Sequence, residues 1–210
     1  MTRPRQTNFD RTKRFVDVVA SAVALVVTAP VQAAIAGAVA VTLGRPVIFV
    51  QRRAGLEGRP FSLYKFRTMQ QADPSNGLID DADRLGRFGC WLRGTSLDEL
   101  PTLVNVLKGE MSFVGPRPLL VHYLDRYSAH QARRHEVRPG ITGLAQIRGR
   151  NALPWEEKLS LDVEYVDSRS FTRDLQIALA SIGVVLRGNG VAAANRATVD
   201  EFMGDGQCGS

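Results

Sequence analysis

Polar and apolar positions are spread very unevenly along this chain. From Val18 to Leu43 there is no charged residue, a stretch that would reach roughly 39 Å as an ideal helix and so exceeds the hydrocarbon core of a bilayer. A cleaved leader has a shorter apolar run closed by a small-residue cleavage site, so this segment is expected to be retained. Basic residues flank it on both sides: Arg3, Arg5, Arg11, Lys13 and Arg14 before, Arg45, Arg52, Arg53 and Arg59 after. Positive charge favours the cytoplasmic side, and a straight single span cannot satisfy both flanks. Pro30, in the middle, has no N–H for the Val26 carbonyl and its ring clashes with that group. The pattern therefore predicts a re-entrant helix that bends at Pro30 and returns, with Thr28 and Gln32 satisfying the backbone groups freed there. An ordinary kinked transmembrane helix is the alternative.

Beyond residue 44 the periodicity shortens. Pro46 to Gln51 reads as a strand, Gly55 to Arg59 as a turn and Phe61 to Phe66 as a returning strand, which together make a hairpin. Asp73 to Asn76 reads as a loop. Ser96 to Leu107 reads as a helix stopped at Gly109, with Ser96 and Glu99 spaced as a capping box. Glycines and prolines punctuate the stretch from Gly115 to Gly149, leaving room for one helix over about 119–135. A last helix, about Thr172 to Leu186, carries Leu175, Leu179, Ile182, Val185 and Leu186 at amphipathic spacing suited to a core or a membrane surface. The expected fold class is α+β and mostly helical. Residues 1–44 form a basic amino terminus and membrane helix, 45–190 a cytosol-facing domain and 191–210 a carboxyl-terminal tail.

Composition narrows the partners only partly. The 210 residues, 44% hydrophobic and 23% charged, suffice for one domain with a real core. The formal charge of +6 favours anionic partners, but nucleic acid, acidic lipid and phosphate-bearing small molecules satisfy it equally. Arg133, Arg134, Arg138, Arg148 and Arg150 come without a helix-turn-helix, zinc or aromatic-ribonucleoprotein signature, so nucleic acid is not expected. Cys90 and Cys208 belong to no CxxC or His-rich cluster, which leaves no support for a disulfide framework or a zinc site. His122, His130 and His135 lack ligand spacing and read as surface residues.

Four places have residue types suited to phosphate chemistry. Asp98 and Glu99 are adjacent, so on a helix they diverge by about 100° and cannot face each other as a pair. Each can serve a different partner: an Asp as nucleophile or divalent-cation ligand, a Glu as base or second ligand. Capping and favourable interaction with the helix dipole account for the same two residues equally well. Arg117 lies between Pro116 and Pro118, whose fixed φ angles give its guanidinium a stiff frame suited to bidentate phosphate binding; a polyproline-type surface turn is the alternative. Lys65 and Arg67 share one face of a strand, a pattern most often merely solvated. The glycines of Arg138-Pro139-Gly140-Ile141-Thr142-Gly143 permit close backbone approach to a ligand.

Taken together, KRFVDVVAS (Lys13 to Ser21), FVQRRAGLEGRPFSLYKFRTM (Phe49 to Met69), LDELPTLVNVLKGEMSFVGPRPLL (Leu97 to Leu120), RPGITGLAQIRGRNALPWEEK (Arg138 to Lys158) and LDVEYV (Leu161 to Val166) resemble the small monotopic phosphoglycosyl transferases, the bacterial sugar transferase family. The resemblance implies a re-entrant membrane helix, membrane-surface helices and a place at the cytoplasmic face of the bacterial inner membrane. It also implies a magnesium ion, with Asp98 as metal ligand and as nucleophile on the sugar-bearing phosphorus of a UDP-sugar. UMP would leave, and undecaprenyl phosphate would then take the phospho-sugar with help from Glu99. Arg117 matches the family's phosphate-handling arginine, while Lys65, Arg93 and Arg138 fall in motifs that line the site. The family's usual Ser-Pro break is Ala29-Pro30 here, and Pro154 stands where relatives often carry Ser. Within the family, RNALPWEEK and the tail from Ala197 to Phe202 are most similar to enzymes acting on diacetylbacillosamine, with glucose or galactose as the alternative sugar. Assembly into a homo-oligomer is left open, and a membrane-anchored scaffold without activity is the rival from another class.

Overall fold

The computed structural model describes residues 8–73, 75, 78–149, 153–186 and 201–204. The readings made above for Arg3, Arg5, Asn76, Arg150, residues 197–200 and Cys208 lie outside the described residues. The described residues open with α1 (Asn8–Thr42), followed by β1 (Ile48–Ala54) and β2 (Pro60–Phe66), which pair antiparallel from Ile48↔Phe66 to Ala54↔Pro60. The first strand thus runs three residues beyond its expected end, because pairing with β2 continues up to the turn. After α2 (Asp81–Arg84), α3 (Arg87–Gly94) and α4 (Thr102–Lys108) comes β3 (Ser112–Val114). Then follow α5 (Ala129–Ala132), β4 (Gly140–Thr142), α6 (Leu144–Arg148), α7 (Trp155–Ser168) and α8 (Phe171–Leu186), with β4 parallel to β3.

α1 is bent. In a straight helix Arg14 and Val39 would stand roughly 38 Å apart. Arg14 nevertheless donates to the carbonyls of Val106 at 2.6 Å and Leu107 at 2.9 Å, at the end of α4. Val39, fully buried, packs with Ile35, Phe66 and Leu92 in a cluster that takes in Leu97 and Leu100, just ahead of the same short helix. Both ends of α1 are thereby fixed to one domain, and Pro30 lies between them. The amino-terminal end is anchored by charge: Lys13 Nζ lies 2.6 Å from Asp174 Oδ2. At the other end, Arg67 donates to the carbonyls of Leu43, Gly44 and Arg45. In the middle, Val23, Val26, Val27 and Val31 are exposed, and the helix is long and apolar enough to cross a membrane. Thr28 does not take up the carbonyl freed by Pro30; its hydroxyl donates to Ala24 O at 2.6 Å and accepts from Gln32 Nε2 at 2.9 Å.

Two expected helices come out differently. Over 96–107 there is a 3-10 turn at Leu97–Glu99 and then α4. Pro101 has no N–H to continue the ladder, but its fixed φ suits a helix start. Ser96 does not cap: it sits in the left-handed region at φ 57° and its side chain makes no capping bond. Gly109 ends α4 as expected, at φ 88°. Over 119–135 the chain forms a 3-10 helix at Val121–Arg126, then α5, then a 3-10 turn at Arg133–Glu136. The break falls at extended Tyr127, where Ser128 and Gln131 make the reciprocal capping box that Ser96 and Glu99 do not.

His135 is not a surface residue: its Nδ1 lies 3.1 Å from Gly55 O, and its Nε2 is enclosed without a partner. Burial, reinforced by the neighbouring Arg134 charge, lowers its pKa to about 4. The aromatic residues Tyr123, Tyr127 and Trp155 surround Phe202, so this part of the tail packs against the domain. Glu201 beside it pairs with Arg126.

Candidate active site

Strand β2, the turn before α4 and the loop after β3 meet on one side of the domain. Asn105, fully buried on α4, ties the helix to the strand: its amide donates to Ser62 O at 2.7 Å, and its Oδ1 accepts from Tyr64 N at 3.1 Å. Thr102 donates to Tyr64 O at 3.0 Å. These bonds fix Lys65, the next residue of β2, over the turn that carries Asp98 and Glu99. Lys65 Nζ stands 2.6 Å from Glu99 Oε1 and 3.8 Å from Asp98 Oδ2. Arg117, from the loop after β3, completes the group with its Nη2 at 2.9 Å from the same Glu99 oxygen. Lys65, Asp98, Glu99 and Arg117 are thus brought together.

The two carboxylates divide the available cations unequally. Glu99 takes both close contacts, and although burial opposes ionisation, Lys65 and Arg117 hold its pKa down to about 2. Asp98 is 7% exposed, and among the described residues its nearest ion-pair partner is Lys65. Burial pushes its carboxyl up to about 6; Lys65 opposes this, Glu99 adds to it, and Arg117 and Arg93 also oppose it. The charged form of Asp98 is therefore poorly satisfied by its surroundings, which makes the ionised carboxylate a better nucleophile and proton acceptor than that of an ordinary aspartate. Arg93, at the end of α3, donates Nε to the buried Thr68 hydroxyl at 3.0 Å. Thr68 was missed from the sequence, although it follows Arg67 in the YKFRTM run.

Arg138 is not brought to this group. Its Nε donates to Gly109 O at 2.9 Å, at the opposite end of α4 from Asp98. There it lines a separate cleft of about 60 Å³ with Lys13, Arg14, Asp17 and Tyr165. The glycines of its turn do allow a close approach, but to the chain itself: a Cβ on Gly140 would stand 2.1 Å from Gly115 N. Arg133 and Arg134 also have protein partners, Asp167 with Glu136 for the first and Asp162 for the second.

Among the described residues no group of three or more His, Cys, Asp or Glu converges as a metal cage. Magnesium is held characteristically by one or two carboxylates together with water and substrate phosphates. Asp98, whose Lys65 partner stands back at 3.8 Å, fits that mode, whereas Glu99 is engaged by two closer cations.

The family model for bacterial sugar transferases matches residues 8–188, and the chain belongs to that family. It is 48% identical over 199 residues to an uncharacterized sugar transferase, EpsL, of Bacillus subtilis (strain 168), a match covering 94% of this chain and 98% of that one. It is 39% identical over 188 residues to the UDP-glucose:undecaprenyl-phosphate glucose-1-phosphate transferase of Caulobacter vibrioides, covering 84% and 70%. Identity is also 39%, over 200 residues, to the galactosyl transferase CpsE of Streptococcus agalactiae serotype III, but there the match covers 85% of this chain and only 43% of the relative.

Proposed function

We propose that this protein transfers a sugar 1-phosphate from a UDP-sugar to undecaprenyl phosphate, releasing UMP, at the cytoplasmic face of the bacterial cell membrane. The observation that carries this reading is the unequal treatment of the dyad: Glu99 takes the close contacts with Lys65 and Arg117, while Asp98 stays buried beside it with Lys65 at 3.8 Å. An Asp98 oxygen forms a bond to the sugar-bearing phosphorus as the bond from that phosphorus to the bridging oxygen breaks, and UMP leaves with the electron pair. A phosphate oxygen of undecaprenyl phosphate then attacks the same phosphorus, which breaks the acyl-phosphate bond and restores Asp98. Glu99, held ionised, keeps Lys65 and Arg117 in place beside the reacting phosphorus. Arg117, Lys65 and Arg93 offset the charge of the diphosphate, the main requirement in phosphoryl transfer. Asp98 and the substrate diphosphate would hold a magnesium ion, which supplies further charge neutralisation when bound.

The bent apolar helix supports the lipid acceptor, since its exposed middle suits a bilayer while both of its ends stay with the domain. For the donor, the named relatives favour glucose or galactose 1-phosphate. Diacetylbacillosamine rests on the resemblance at RNALPWEEK and the tail, two segments that meet where Trp155 packs on Phe202. The test is UMP release by the full chain from UDP-glucose, UDP-galactose and UDP-diacetylbacillosamine, with magnesium and undecaprenyl phosphate. Turnover with one of them is expected; UMP release from none would reject the reading.

A further inference from the structure

The side chain of Arg117 is 47% exposed, so its aim depends on how its backbone is held. Pro116 and Pro118 lack an N–H, which leaves this loop to be fixed mainly through its carbonyls. All four consecutive carbonyls from Pro116 to Leu119 accept hydrogen bonds. Gly140 N serves Pro116 at 2.9 Å, Arg134 Nη2 serves Arg117 at 2.7 Å, Arg53 Nη1 serves Pro118 at 3.3 Å and Ala54 N serves Leu119 at 3.0 Å. The bond to Arg117 itself comes from a buried guanidinium. Arg134 is 3% exposed, and its Nε and Nη2 reach Asp162 Oδ2, on α7, at 3.0 and 2.7 Å. Its Nη1 lies 3.3 Å from the Tyr127 hydroxyl. Ala54, His135, Val137 and Pro139 close the narrow space beside the two arginines.

A buried ion pair adds little stability compared with apolar residues of the same shape, so geometry is the better account of this one. The planar guanidinium presents Nη2 to the carboxylate and to the Arg117 carbonyl at once, which a lysine ammonium on a flexible stem does not reproduce. We propose that Arg134, oriented by Asp162, is a positioning residue that fixes the backbone of Arg117 and so aims its guanidinium at the substrate phosphate and Glu99. This rests on the reading of Arg117 as the phosphate-binding arginine.

The experiment compares Arg134→Lys, Asp162→Asn and Arg117→Ala, and each of the first two combined with Arg117→Ala, in the full chain embedded in nanodiscs. Two readouts are taken: UMP release, and the nitrogen-15 resonance of Arg117 Nε, assigned through Arg117→Ala. Arg134→Lys and Asp162→Asn should each slow UMP release about tenfold or more in the otherwise native chain, but less than about twofold when Arg117 is already Ala. In both single variants the Arg117 resonance should move away from its native position, toward that seen in Glu99→Gln. Equal losses in both backgrounds with an unmoved Arg117 resonance would assign the pair to the core alone and overturn the proposal. If Arg134→Lys does not fold, Asp162→Asn decides by the same two criteria. If the native protein releases no UMP from any UDP-sugar, the proposed function fails separately, and an unmoved Arg117 resonance would still overturn the positioning role.

Discussion

Two regions of buried charge lie close together in this protein and are built differently. In one, Arg134 and Asp162 satisfy each other, and the spare donors of the arginine go to a carbonyl and a phenol. In the other, two cations converge on Glu99, and Asp98 is left with a burial cost that its surroundings do not offset. The first arrangement lowers the energy of one geometry. The second leaves one carboxylate less well satisfied, and it is there that the proposed function places the reacting group. Buried charge with full compensation reads as structure, and buried charge without it as a candidate for chemistry.

The comparison is tested most severely at Asp98. Asp98→Asn should abolish turnover while leaving the melting temperature equal to or above that of the native protein, because the change removes a charge that burial disfavours. Loss of folding in this variant would move Asp98 into the structural class. Arg117→Ala should reduce kcat/KM by about 100-fold, corresponding to roughly 3 kcal/mol of transition-state stabilisation, with cooperative unfolding preserved; near-native turnover would make the loop a surface turn.

A pH profile gives a smaller effect with a definite sign. The Asp98 carboxyl is raised to about 6, so the rate should be level above neutrality and fall as the pH drops through that value and the nucleophile is protonated. For stability the same shift acts the other way: the raised group favours the fold at low pH, and that contribution is lost as pH rises through about 6. An activity limb centred near pH 4 would indicate an ordinary, solvated aspartate. The smallest contrast is between two serines. Ser128→Ala removes a real helix cap and should cost about 1 kcal/mol in chemical denaturation, while Ser96→Ala, which removes no cap, should cost much less.

Local patterns were legible in the sequence where local physics decides the outcome. The uncharged run became α1, the alternation around Gly55 became a hairpin and the apolar spacing after residue 171 became α8. Arg117 stood out through its flanking prolines and Asp98 with Glu99 through their adjacency, but a surface turn and a capping box explained them as well, and their roles were given only by the resemblance. The inequality between the two carboxylates was not legible, because it depends on where Lys65 and Arg117 arrive from β2 and from the loop after β3. Arg134 read as one basic residue among several; its role requires Asp162, 28 positions away, to be its neighbour. Arg138 shares a motif with close-packed glycines and yet caps the far end of α4. The spacing of Ser96 and Glu99 fitted a capping box, but the left-handed backbone at Ser96 turned the dyad toward β2 instead.

The central claim is that Asp98 forms a covalent bond to phosphorus, and the most direct measurement is the intact mass of the protein after brief exposure to magnesium and the UDP-sugar it uses, without undecaprenyl phosphate. The native chain should gain the mass of one phospho-sugar, which is lost again when undecaprenyl phosphate is added, and Asp98→Asn should gain nothing. An adduct on Asp98→Asn, or UMP release by it at the native rate, would contradict the account.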